Sequence, residues 1–483
     1  MILLILQQSV RHGYHWVITL FLRVKQWLHV QFEGKKQKST IASLDGVRAI
    51  ACLSVITFHL SLITTRDLPL WNTAKMPQLL SAVAFTGDTG VTLFFLLSGF
   101  LLFLPYAKAL LFENASWPSM RLFYLRRVLR ILPAYYVTLF LIILLYHPEY
   151  LHFNHLPALG FFLTLFMDST SLTYKQINGP FWSLAVEWQF YLLLPLLALG
   201  IGLFVRRGSV TRRMITLVCC LGVVAAWGIF SRYEGLYLTQ HPSVTLHLPR
   251  SVFNVVLFFT YGPQINGQHG KFLEDFAIGM LLSTCYILTR SLSPESRFHL
   301  FIRRISPVLL LCGVLWLVSM AAWKYNQSHL HTWTIYDPLL NYYDYLGEFC
   351  FAVGYGLCVA AILFGTTSIK RFFEWTPLRW IGLISYGLYM WHLLLLQFFT
   401  HYVMLPYVHG WKHSVMYTMY WGWVFLFIVP CAFLLFVQVE RPWMQLGERL
   451  RSSGRGQREA GEVRAVLAEP EPVKANEVAS GHS

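Results

Sequence analysis

Residues 44–60 read LDGVRAIACLSVITFHL. A charged pair, Asp45 and Arg48, opens the stretch, and an apolar run follows that carries one histidine, His59. A run of this length and composition predicts a membrane-spanning helix. Arg48 and His59 are eleven residues apart, almost three turns, so they share one helical face, separated by roughly 16 Å along the axis. Cys52 and Val55 fall on the turns between them and are small enough to leave that face open. Ionisable side chains inside a span are costly and mark candidate functional groups. The structural alternative is that Arg48 snorkels to the interface while His59 hydrogen-bonds a neighbouring helix.

Working outward, the chain of 483 residues is 56% hydrophobic and 13% charged, with a mean hydropathy of +0.50. That composition excludes an ordinary soluble domain and fits an all-α polytopic membrane protein. Net charge is +15, but the basic residues lie between apolar runs, where membrane topology needs them, so nucleic acid is not an expected partner and the lipid bilayer is. The eight cysteines all sit in apolar runs without C-x-x-C spacing, so neither a disulfide framework nor a metal site is indicated.

Ten apolar spans follow, near 46–64, 82–104, 128–146, 181–204, 214–230, 272–289, 307–323, 346–365, 380–400 and 415–437. A shorter run, 156–167, reads as re-entrant or interfacial. Most of the 38 Lys and Arg fall on one side if both termini are cytosolic, which sets the expected orientation. Residues 1–43 are basic and aromatic, with an amphipathic interfacial helix expected over 13–30. Residues 44–443 form the transmembrane domain, and 444–483 read as a disordered cytosolic tail. With no soluble catalytic domain legible at either end, any chemistry is expected within the membrane domain.

Three further segments carry ionisable or polar groups at informative positions. In FYLRRVLRILPAYY, 123–136, Arg127 and Arg130 are three apart on one helical face, and a guanidinium pair suits phosphates. Basic residues also flank span ends for topological reasons alone. In NGPFWSLAVEWQFYLLLPLL, 178–197, Glu187 lies roughly 9 Å into a span. A carboxylate there needs a partner or a water-filled cavity, and a stabilising interhelical bond would also satisfy it. In ISYGLYMWHLLLLQ, 384–397, Ser385, Tyr389 and His392 fall on neighbouring turns of one face.

Together with GVTLFFLLSGFLL and VERP, these motifs occur in an order and spacing that resembles the acyltransferase-3 family of integral-membrane O-acyltransferases, over residues 44–443. The resemblance implies ten core transmembrane helices, an acyl-CoA donor as co-substrate with no permanently bound cofactor, and a hydroxyl acceptor on a glycan or glycosylated molecule. The family's Arg-x10-His pattern falls on Arg48 and His59, its Arg-x-x-Arg on Arg127 and Arg130, and its W-S-x-x-x-E on Trp182, Ser183 and Glu187. The family's second motif usually reads G-V-D-L-F-F. Here Thr92 replaces the aspartate and Asp88 lies one turn earlier.

On this reading Arg127 and Arg130 receive the phosphates of coenzyme A, with Arg48 as a third donor-binding residue. The pantetheine arm would run along the face from Arg48 to His59, and His59 would act as general base. Glu187 is a second catalytic candidate, and Asp45, Trp182, Ser183, Tyr389 and His392 are supporting residues. Counted by depth, His59, Glu187 and His392 lie within about one turn of a common level. The expected protein is a multi-pass acetyl transferase of the plasma membrane. A secondary transporter would also place His, Glu and Arg near the midplane, but it would show inverted repeats, and none is visible. An inactive relative is disfavoured by the presence of Arg48, His59 and Glu187.

Overall fold

The computed structural model describes residues 41–66, 78–205, 207–241, 249–262, 270–293, 296–407 and 411–450, with Arg23 and Gln26 in addition. The interfacial helix expected at 13–30 and the tail beyond residue 450 lie outside them. All regular structure among the described residues is helical. The principal helices are α1 (Ala42–Arg66), α2 (Gln78–Phe85), α3 (Gly90–Leu111), α4 (Met120–Tyr146), α5 (Leu156–Thr164), α6 (Phe181–Val205), α7 (Val210–Gln240) and α8 (Arg250–Thr260). They continue as α9 (Leu273–Ser291), α10 (Arg297–Ser328), α11 (Tyr343–Phe364), α12 (Thr367–Phe373), α13 (Thr376–Leu383), α14 (Ser385–Phe399) and α15 (Ser414–Leu450).

Among the described residues nine helical stretches are long and apolar enough to cross a bilayer, consistent with an all-α polytopic membrane protein. The tenth expected span, 272–289, forms as α9, but Glu274, Asp275 and Arg290 interrupt it. Its unbroken apolar part, Phe276 to Thr289, is only about 21 Å long. The run at 156–167 makes the short helix α5, which stops where Leu165 turns left-handed (φ 57°). The last helix continues past residue 443 to Leu450.

Helix α9 sits inside the bundle rather than at its rim. A Cβ on Gly99 would lie 2.2 Å from the carbonyl oxygen of Phe276, and one on Gly279 would lie 2.0 Å from that of Leu96. Only glycine lets α3 and α9 approach so closely. Phe276 of α9 then stacks on Phe190 of α6, ring centroids 3.8 Å apart. At the charged start of α9, Arg232 of α7 donates to Glu274 while its guanidinium lies over the Phe272 ring. Gly382 of α13 abuts the backbone of Asp45 in the same manner and fixes the Arg48 end of α1.

Candidate active site

Helix α1 carries Arg48 and His59 on one face as its spacing requires, but that face is not an open channel. Cys52 between them is fully buried, and its thiol donates to the Ser385 carbonyl at 3.7 Å. Helix α14 therefore closes the face at this turn. Two cavities lie beyond it, towards opposite ends of α1, and they share two lining residues, Val91 and Tyr389.

The first cavity, about 90 Å³, gathers Arg48, Arg127 and Arg130 with Ser183, Glu187, Tyr191, Ser385 and Tyr389. Arg48 reaches Asp45 at 3.6 Å. Arg127 lies over the Tyr191 ring at 5.8 Å, and its Nε has no hydrogen-bond partner although buried. Glu187 accepts from the hydroxyls of Ser98 and Tyr191. Three guanidiniums face one carboxylate here, so the cavity is electropositive and suited to an anion. Tyr191, four residues after Glu187 on the same helical face, was legible as an i,i+4 partner; Ser98 interrupts FFLLSGF but no pattern ties it to Glu187.

The second cavity, about 820 Å³, is lined by His59 with Asp88, Lys175, Trp182, Lys324, Glu348 and Tyr389. It has the size of a small-molecule site. Lys324 binds both carboxylate oxygens of Asp88 at 2.6 Å, and Thr92 donates to Glu348 at 2.7 Å. The threonine at position 92 thus faces a carboxylate supplied by α11. Trp182 packs edge-on against Phe95. At the junction of the two cavities the Tyr389 and Ser183 hydroxyls are 2.6 Å apart, and Ser183 donates to the Pro180 carbonyl at 3.0 Å.

His59 and His392 meet. His392 Nδ1 is 2.7 Å from the Tyr389 carbonyl, and a carbonyl only accepts, so this nitrogen carries a proton. In the neutral ring Nε2 is then a lone pair. It faces His59 Nδ1 at 3.2 Å, and His59 Nδ1 is also 3.0 Å from the Val55 carbonyl. Both neighbours are acceptors, so His59 Nδ1 is the protonated nitrogen and Nε2 keeps the free lone pair. His59 lines the large cavity, whereas His392 is fully buried behind it.

The structure therefore brings Arg48, Arg127, Arg130 and Glu187 into one cavity, His59 and Trp182 into the other, and Tyr389 between them. Glu187 lines a different cavity from His59. Counting residues from helix ends gives a distance along the axis, not the cavity a side chain enters. Lys175 lies in a loop and had no sequence signal, whereas Glu348 falls just inside the expected span 346–365, where an ionisable residue marks a candidate.

The acyltransferase domain profile of the acyltransferase-3 family matches residues 41–437. The peptidoglycan O-acetyltransferase of Listeria monocytogenes is 25% identical over 370 residues, covering 73% of this chain and 49% of that protein. A Bacillus subtilis protein provisionally named a peptidoglycan O-acetyltransferase is 26% identical over 371 residues, covering 73% and 48%. A Staphylococcus aureus protein provisionally named an O-acetyltransferase is 23% identical over 389 residues, covering 77% and 53%. The chain spans about half the length of the curated relatives it matches. No solved structure matches it significantly. The family match runs from α1 into α15 and takes in both cavities: the chain belongs to the acyltransferase-3 family.

Proposed function

We propose that the protein is an acyl-CoA-dependent O-acyltransferase that moves an acetyl group from acetyl-CoA to a hydroxyl of a carbohydrate, with peptidoglycan-like glycans suggested by its relatives. The observation that carries this reading is the junction at Tyr389. An electropositive cavity suited to coenzyme A phosphates meets a larger cavity that holds a histidine with a free Nε2. The acyl-thioester end of the donor passes Val91 and Tyr389, not Cys52. His59 Nε2 takes the proton of the acceptor hydroxyl, and the oxygen attacks the thioester carbonyl. The C–S bond breaks, and the proton held on His59 goes to the departing thiolate. His392 is a positioning residue that fixes the His59 tautomer, as hydrogen-bond partners do for other imidazoles.

We place the arginine cavity on the cytosolic side of the plasma membrane and both termini in the cytosol, following the distribution of Lys and Arg. The test of function uses purified protein in lipid nanodiscs with carbon-14 acetyl-CoA and a panel of glycan acceptors. Alkali-labile label in the acceptor, absent with His59→Gln, supports transfer. A protein that binds acetyl-CoA, esterifies nothing and instead moves an unmodified solute across liposomes would be a transporter.

A further inference from the structure

The charged groups around the large cavity are not equally committed. Lys324 is neutralised by Asp88, and Glu348 accepts from Thr92. Lys175 alone among these has no hydrogen-bond or ion-pair partner among the described residues; its Nζ lies 5.0 Å from the centre of the Tyr174 ring. It is half-buried and lines the cavity with His59.

The backbone is arranged to put it there. Lys175 sits in the left-handed region at φ 57°, a conformation that disfavours residues with a Cβ. Its loop is clamped on the N-terminal side, where Asp168 binds Lys271 and accepts from Gln189 at 2.6 Å, and Thr173 donates to the Met167 carbonyl at 3.0 Å. On the C-terminal side Asn178 donates to the Met390 carbonyl at 2.8 Å. A strained residue in a pinned loop, with an ammonium that lines a cavity and is bonded directly to neither of its carboxylates, Asp88 and Glu348, suits an anion-binding group.

We propose that the acceptor carries an anionic group, a carboxylate or a phosphate, and that Lys175 binds it while the acceptor hydroxyl lies at His59. This rests on the transferase reading and adds the acceptor's charge to it. A neutral sugar fills the same space but makes no charge-assisted bond to the ammonium, so the site discriminates by charge as well as shape.

The test measures binding without any acyl donor, to the full chain in nanodiscs, of glucose, glucuronic acid and glucose 1-phosphate. At least one anionic sugar is expected to bind tenfold or more tighter than glucose, and which one does so tells carboxylate from phosphate. Lys175→Met should remove that excess and Lys175→Arg should keep it, both with unchanged acetyl-CoA binding. Where Lys175→Met fails to fold, protection of the wild-type Lys175 amine from an N-hydroxysuccinimide ester by the preferred sugar decides the matter. Anionic sugars that bind no tighter than glucose, a preference that survives Lys175→Met, or an amine left unprotected would overturn the proposal. Since no donor is present, such a failure leaves acyl transfer standing. Failure of transfer in the labelling assay would leave the charge preference standing.

Discussion

The Nδ1 atom of His59 lies 3.2 Å from Nε2 of His392, on a helix 333 residues later in the chain. Because His392 keeps its own proton on a backbone carbonyl, only one tautomer of each ring satisfies both contacts. His59→Gln removes the free Nε2 and should lower transfer by roughly 10²–10⁴. His392→Gln, which can offer its amide oxygen to His59 Nδ1, should lose only about 10–100-fold, and His392→Phe more. Initial rates normalised to acetyl-CoA-binding protein check the order. Near-normal activity in His59→Gln would remove the base from the scheme.

Arg127 and Arg130 should govern the donor. Alanine at either removes charge-assisted bonds of ~1.5–3 kcal/mol, a tenfold or greater rise in the KM for acetyl-CoA, with kcat at saturating donor changed much less. Lysine should restore little, because it lacks the planar fork. An unchanged donor KM with a raised acceptor KM would move the arginines to the other substrate.

The proposed sidedness can be read by single-cysteine labelling in intact cells, in a background with the eight native cysteines replaced. Ser171→Cys, in the loop that carries Lys175, should react with an impermeant maleimide. Ser116→Cys, between α3 and α4, should react only after the membrane is opened. Both positions are exposed. Reaction of Ser116→Cys from outside would reverse the arrangement.

Lys175 should also leave a mark on stability. Burial pushes its amine below the ordinary lysine value, while the Asp88 carboxylate pulls the other way; Lys324, His59 and Tyr174 face the same space. Between the lowered folded value and the unfolded value near ~10.4, the unfolded chain binds more protons, so this group makes stability rise with pH. Below both values the penalty for holding the ammonium is fully present. Lys175→Met should therefore raise Tm at pH 7, with the gain shrinking as pH climbs towards ~10. A gain that grows with pH would contradict this.

Much of the site was legible because chemistry-bearing residues are rare in apolar runs. Arg48, His59, Arg127, Arg130, Glu187 and His392 each stood out for that reason, and periodicity placed each pair on its helical face. Periodicity could not say which helix covers a face, so the closure at Cys52 by α14 was hidden. Nor could it say which buried groups meet: the contact of His59 with His392, and the placing of Glu187 in the other cavity, depend on long-range packing. Lys175 was invisible because a loop has no period from which to read direction.

The buried pair Arg232–Glu274 gives a test of the packing itself. Arg232→Ala would leave Glu274 without its cation, and Asp275 and Glu348 feel the same charge. Breaking a pair this deep costs about 3–5 kcal/mol. Glu274→Gln should be milder, since two carboxyls then remain near the guanidinium. Equal thermal stability of Arg232→Ala and wild type in nanodiscs would show that the pair holds nothing.

That pair also bears on how the chain is made. An apolar stretch of about 21 Å is shorter than the ~30 Å hydrocarbon core, so α9 is poorly suited to partition into lipid as it leaves the ribosome. Its entry is conditional: α7 must already be in place to present Arg232, and α3 to present the glycine groove. This buried helix is thus set late, by its neighbours rather than by its own greasiness. A ribosome-bound chain truncated after α9 should leave that segment open to a glycosylation tag or protease when Arg232 is replaced, and sheltered when it is not.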